Sequence, residues 1–262
     1  MKILECSIYH DFEFDENIVF PKNVIDSLKE QNQEVKNIYP GMWLEEVFVD
    51  KDIILDIPSN INKEYLLYKL AQSCRKLCMM YYASEKAFKT ERDFYSTTLK
   101  ESPCLFGKEA IELGFYLEAY VLLARASLEI ASNVFGYLLP EPFHKKRYDS
   151  FNSLIKEIVK HEENLEISKY FIELREDKKS WLSIISDTDK GRSLRDKLAH
   201  QTEFPIIYTE LYPWTEKEFP IVLIDKDDFI KFDDFVKKLR EGVIEGFRIL
   251  EQYCYKNIKK YN

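Results

Sequence analysis

The stretch KEYLLYKLAQSCRKLCMMY, residues 63–81, is where the chain takes on a helical period. Leu67, Leu70, Ala71, Cys74, Leu77, Cys78 and Tyr81 recur three and four residues apart, the spacing that places side chains on one face of an α-helix. The residues before it read differently. Lys2–Phe14 and Trp43–Ile57 are strand-like, and Pro21 to about Gln33 fits a short helix with the proline in its first turn. Pro58-Ser59-Asn60 marks the boundary, with Asn60 or Asn62 available as a cap. The expected organisation is a small mixed α+β segment over 1–62 and a mainly helical domain over 63–262.

Downstream, the first helix is expected to run to about Leu99, and Pro103 interrupts. A second long helix from about Lys108 to Leu139 is apolar almost all round, which predicts a central, buried element ended by Pro140 and Pro142. Shorter helices carry Phe151, Leu154, Ile155, Ile158 and Val159, then Ile167, Tyr170, Phe171 and Leu174. A third is expected to be capped near Asp187-Thr188-Asp189 and to reach His200. Phe204–Tyr212 and Phe219–Asp225 read as a β-hairpin, residues 204–225, around Pro213-Trp214-Thr215. A last helix carries Phe229, Phe232, Val236, Leu239, Val243, Phe247 and Leu250. No internal repeat or low-complexity tract interrupts this order.

Of the 262 residues 45% are hydrophobic and 32% charged, the balance of a globular chain. Charges recur too often for a membrane span. Asp11, Glu13, Asp15 and Glu16 break up the start, so no secretory signal is expected. The five cysteines, Cys6, Cys74, Cys78, Cys104 and Cys254, are odd in number and form no C-x-x-C pair. They fit reduced thiols and a cytoplasmic location. Four scattered histidines give no metal-ligand spacing, and no cofactor is expected. Asp187-Thr188-Asp189-Lys190-Gly191 suggests a calcium loop, but its glycine comes one position early and Leu198 stands where a bidentate glutamate belongs.

Residues 1–62 carry 13 acidic and 5 basic side chains, a net of −8, while residues 63–262 carry 33 of each. The acidity of the chain therefore belongs to its N-terminal segment and does not argue against nucleic-acid binding by the rest. That segment is either a solubilising or partner-binding appendage or one that competes with a polyanion for a basic surface or repels it at a distance.

The chemistry-bearing stretch is Arg195-Asp196-Lys197-Leu198-Ala199-His200, an R-x4-H motif with a polar residue after the arginine. In an ideal helix residues five apart differ by about 140° in azimuth, so the pair can meet only if the helix ends there. Pro205 enforces that by pushing residue 204 out of the helical region. A helix C-terminus favours imidazolium, and Asp196, four before His200, lies on its face and could orient the ring. Arg192 sits one turn before Arg195 as a candidate phosphate contact, with Lys197 beside it in a mildly basic stretch. A helix-end histidine beside a surface arginine is the bland alternative.

The motif resembles the signature of the HEPN superfamily. Residues 63–262 are similar to it in architecture. By motif only the hexapeptide matches, together with Ala124-Arg125-Ala126-Ser127-Leu128-Glu129, which resembles the Arg-x-x-Leu-Glu stretch of many HEPN core helices. The resemblance implies a HEPN-like helical bundle and a metal-independent endoribonuclease of the toxin–antitoxin or anti-phage kind. It also implies a homodimer whose two motifs face a shared cleft, with RNA and an antitoxin or other protein as partners. On it, His200 transfers protons, Arg195 stabilises charge on the phosphorus centre and Asp196 orients His200. Arg125 and Glu129 are then either a structural i, i+4 ion pair or a pair supporting the motif. Two other readings stand beside the enzyme: a non-catalytic HEPN-like module that binds a nucleotide, RNA or protein and dimerises, and a purely structural helical protein.

Overall fold

A computed structural model describes residues 63–93, 108–140, 142–143, 148, 150–161, 165–188, 191–200, 206–207, 220–225 and 228–258. The strands and helix expected within 1–62, the break at Pro103 and the tip at Tyr212-Pro213-Trp214 lie outside these residues. The described residues are mainly helical, with one small antiparallel sheet among them.

The first helix, α1 (Lys63–Asp93), buries Leu66, Leu70, Cys74, Leu77, Met80 and Ala87. Cys78 and Tyr81, expected on that face, are only half-buried, while Ser73 and Met80 are fully enclosed, so the buried stripe is turned slightly from the expected one. α1 packs along α2 (Lys108–Leu138), and the Ser73 hydroxyl donates to the Ser127 carbonyl between them at 2.6 Å.

α2 is the hub, touching α1, the last helix and three of the short ones. Its burial is not complete, contrary to the expectation from its composition. Ile111 and Phe115 are 68% and 67% exposed, and Leu122 joins them in a row at helical spacing that no described element covers. Apolar content reports what a helix can bury; only the placement of its neighbours decides which face is buried.

α3 (Phe151–Val159) buries all five expected side chains. It begins with a reciprocal cap in which Ser150 and Ser153 each accept the other's backbone N–H at 3.1 Å. α4 (Glu166–Glu176) buries Ile167 and Phe171. α5 (Trp181–Ile185), capped by Ser180, has every side chain buried; five residues are too few to display a period, and the sequence gives no sign of it. Trp181 lies in a notch of the last helix at Gly242 and Gly246, where a Cβ on Gly246 would come within 2.7 Å of ring atom Cη2. Its indole N–H donates to the Tyr170 hydroxyl at 3.2 Å.

α6 (Leu194–His200) follows. Its cap is not at 187–189 as expected but at Ser193. The expected hairpin is present as β1 (Ile206–Ile207) against β2 (Ile221–Leu223), pairing Ile206 with Val222 and Ile207 with Ile221. A third strand, β3 (Phe229–Lys231), pairs with β2. Phe229, expected in the last helix, therefore belongs to the sheet. The Asp225–Asp228 reversal, closed by an Asp228 N–H bond to the Asp225 carbonyl at 3.2 Å, turns the chain into a strand before the helix starts.

The last helix, α7 (Phe232–Ile258), buries Phe232, Val236, Leu239, Val243, Phe247 and Leu250 as expected. Tyr120 of α2 donates to the Val236 carbonyl at 2.6 Å, and Arg240 reaches Glu85 of α1 at 2.8 Å. Among the described residues no helix is long and apolar enough to cross a membrane.

Candidate functional site

Arg195 and His200 stand at opposite ends of α6, which packs on α5 and α2. Leu194 is buried and Leu198 packs against the core, so the apolar residues fix one side of this short helix and leave its polar residues half-exposed. His200 is the last described residue of α6; the end expected from Pro205 and the imidazole lie outside what is described.

The side chain of Arg195 is 37% exposed, and its Nη1 lies 3.4 Å from Oδ1 of Asp196. Asp196 thus has the neighbouring arginine as a partner, a contact not foreseen when it was expected to orient His200. The Nε of Arg195 is buried and has no hydrogen-bond partner among the described residues. Arg192 is exposed. Lys197 turns the other way. Its ammonium donates to the Ile224 carbonyl at 3.0 Å and reaches Asp225 at 3.5 Å, which ties α6 to the end of β2. Lys178 and Lys179, from the same basic stretch of sequence, both lie 3.7 Å from Asp228 in the next turn of the sheet.

Behind α6 lies Arg125, only 5% exposed in the middle of α2. Its guanidinium pairs with Glu129 at 2.8 Å, donates to Asn152 Oδ1 at 3.1 Å and to the Ser186 hydroxyl, and rests over the Phe151 ring at 5.4 Å. Glu129 also accepts the Phe151 N–H at 3.0 Å, placing a carboxylate at the start of α3. Burial pushes the Arg125 pKa down from its ordinary value; Glu129 opposes this, Arg195 adds to it, and Asp187 and Asp196 oppose it. The same interactions bring Arg125 and Glu129, singled out on α2, and Arg195 and Asp196, singled out in the motif some 70 positions later, within one electrostatic neighbourhood. A recess of about 10 Å³, room for a single water, opens beside it between Asn152, Arg175, Ser186 and Asp187.

Ser186, Ser193 and Asn152 were not singled out from the sequence, and Asp187 was noted only near the expected cap and in the rejected calcium loop. For Ser193 a signal existed: Ser193-Leu194-Arg195-Asp196 has the S-x-x-D form of a helix start. For Asn152 and Ser186 there was none, because their roles arise only when α2, α3 and α5 meet. Among the described residues no group of three histidine, cysteine, aspartate or glutamate side chains is placed to hold a metal. Comparison with protein-family models, with curated proteins and with solved structures finds no match.

Proposed function

We propose that the chain is a metal-independent endoribonuclease of HEPN type. The observation that carries this reading is the placement of Arg195 and His200 at the two ends of one seven-residue helix, with the Arg195 side chain over one-third exposed beside the buried Arg125 cluster. His200 takes the proton from a ribose 2′-OH as that oxygen attacks the adjacent phosphorus. The 5′-oxygen leaves and takes up a proton from water, giving a 2′,3′-cyclic phosphate and a 5′-OH end, and the His200 imidazolium returns its proton to solvent. Arg195 offers its planar fork to the non-bridging oxygens, where charge accumulates. In the same proposal the chain is a cytoplasmic homodimer with two motifs facing one cleft, acting in a toxin–antitoxin or anti-phage setting.

A second reading, a non-catalytic HEPN-like module that binds a nucleotide, RNA or a protein and dimerises, is favoured by a different observation. Lys197 and Asp196 both have partners within the fold, as in a helix whose charges serve structure.

The experiment is incubation of the full chain with total RNA in the presence of EDTA. Arg195→Ala and His200→Ala are each expected to lose about 10²–10⁴ in rate while stability changes by no more than about 1 kcal/mol. Arg195→Lys should rescue poorly, since an ammonium has no bidentate geometry. Cleavage by His200→Ala at the wild-type rate would sink the proposal, and unfolding of both alanine variants would hand the motif to the scaffold reading.

A further inference from the structure

Seven residues do not hold helical geometry unaided, so the direction in which Arg195 points is set from outside α6. Two hydrogen bonds converge on its start. Ser193 Oγ accepts the Asp196 N–H at 3.2 Å, and the Ser193 N–H is donated to Asp187 Oδ1 at 2.8 Å. Between Asp187 and Ser193 the chain doubles back, and Thr188 and Gly191 exchange backbone N–H···O bonds of 3.1 Å each. Gly191 supports the reversal at φ +140, a conformation that residues with a Cβ rarely adopt. Immediately upstream, Ser186 is gripped by Arg125, itself fastened to Glu129 and Asn152. The loop leading into the motif is therefore anchored on a buried guanidinium at one end and closed by a helix cap at the other.

We infer that Asp187 and Ser193 are positioning residues for the motif: the Asp187 carboxylate holds the Ser193 amide, Ser193 sets the first turn of α6, and Arg195 is thereby presented in one orientation. The catalytic half of this inference rests on the ribonuclease proposal; the structural half does not. Both residues act through the backbone of α6, which fixes what their variants should do. Catalysis suffers from a small misplacement of a reacting group far more than binding does.

The test uses the full chain with Asp187→Ala, Asp187→Asn, Ser193→Ala and Ser193→Asp, read by steady-state RNA cleavage and by amide hydrogen exchange. Asp187→Ala and Ser193→Ala should lower kcat by about ten- to a hundred-fold with KM within about three-fold of wild type. Asp187→Asn and Ser193→Asp retain an acceptor oxygen and should stay within about three-fold in kcat. Amides of residues 195–198 should exchange about five-fold faster in the alanine variants, with those of α3 and α7 unchanged. Full kcat in Asp187→Ala overturns the inference, and so does Asp187→Asn being as slow as Asp187→Ala, because charge and not the hydrogen bond would then matter. If an alanine variant fails to fold, Ser193→Thr and Ser193→Gly replace it, since glycine is tolerated at caps but offers no acceptor; equal kcat in those two overturns the inference as well. If the wild type does not cleave RNA, the ribonuclease proposal falls alone, and the inference is decided by exchange: unchanged protection of α6 in Asp187→Ala ends it.

Discussion

α5 and α6 are consecutive in the chain, five and seven residues long, and both pack on α2, yet they are held by different forces. In α5 every side chain is buried, and Trp181 fills a notch that exists because positions 242 and 246 of α7 have no Cβ. Among the described side chains of α6 only Leu194 is fully enclosed, Arg195 to Leu198 are half-exposed, and the start is fixed by the Asp187–Ser193–Asp196 hydrogen bonds. Apolar packing stabilises strongly and is indifferent to direction. Hydrogen bonds contribute less but specify an orientation. A helix that must aim a reactive side chain is better fixed by the second kind of force, and one that must hold the molecule together by the first.

The sharpest way to break this comparison is at Trp181. Trp181→Ala should cost about 3–5 kcal/mol in urea or thermal unfolding, against no more than about 1 kcal/mol for Arg195→Ala. A Trp181→Ala protein as stable as wild type would remove the distinction between the two helices. Next in size, Gly242→Ala and Gly246→Ala should each destabilise by about 1–3 kcal/mol through overpacking against the indole, even though alanine is the better helix former. A stabilised Gly246→Ala would show that Trp181 can move aside.

Glu91 near the end of α1 sharpens the same contrast, as a buried carboxylate close to Asp233 and Arg92. Burial raises its pKa, the Asp233 carboxylate raises it further, and Arg92 partly offsets both. Its native state therefore binds a proton more readily than the unfolded chain. Its contribution to stability is most favourable below the ordinary glutamate value and is lost as pH rises through the raised one. Glu91→Gln should stabilise the protein at pH 7 and bring no gain near pH 4, measured by denaturant midpoints at the two values. The smallest effect is expected at Gly114 in α2, where an added Cβ meets nothing within 4 Å. Gly114→Ala should raise stability by about 0.5–1 kcal/mol, the opposite sign to the glycines under Trp181.

Elements with a sustained period were legible from the sequence. α1, α2, α3 and α7 fall where the apolar spacing put them, and the pairing of β1 with β2 follows from two β-branched runs. What was not legible depended on a few residues or on contacts between distant ones. α5 is shorter than two turns, and β3 hid inside an apolar pattern that also suited the start of α7. At the candidate site, Arg195 and Asp196 could be named from the motif and Arg125 and Glu129 from their presence on an apolar helix. That these pairs are neighbours could not, because nothing in local spacing records which face of α2 the motif helix meets. Lys197 marks the opposite limit: a cation inside the motif in sequence is engaged with the sheet in space.

β3 ends at Lys231 and α7 begins at Phe232, so strand and helix are joined without a connecting residue. Phe232, although helical, still donates its N–H to the Pro220 carbonyl at 3.0 Å, and its ring meets Phe88 of α1 edge-on at 5.7 Å. The junction has no slack. A single inserted residue there would either reverse the pleat of β3 or rotate the whole of α7 by about 100°, carrying the Trp181 notch and the hydrophobic face with it. Length at this point is as much a fixed property of the chain as the identity of any residue, and variation in number has to be accommodated elsewhere.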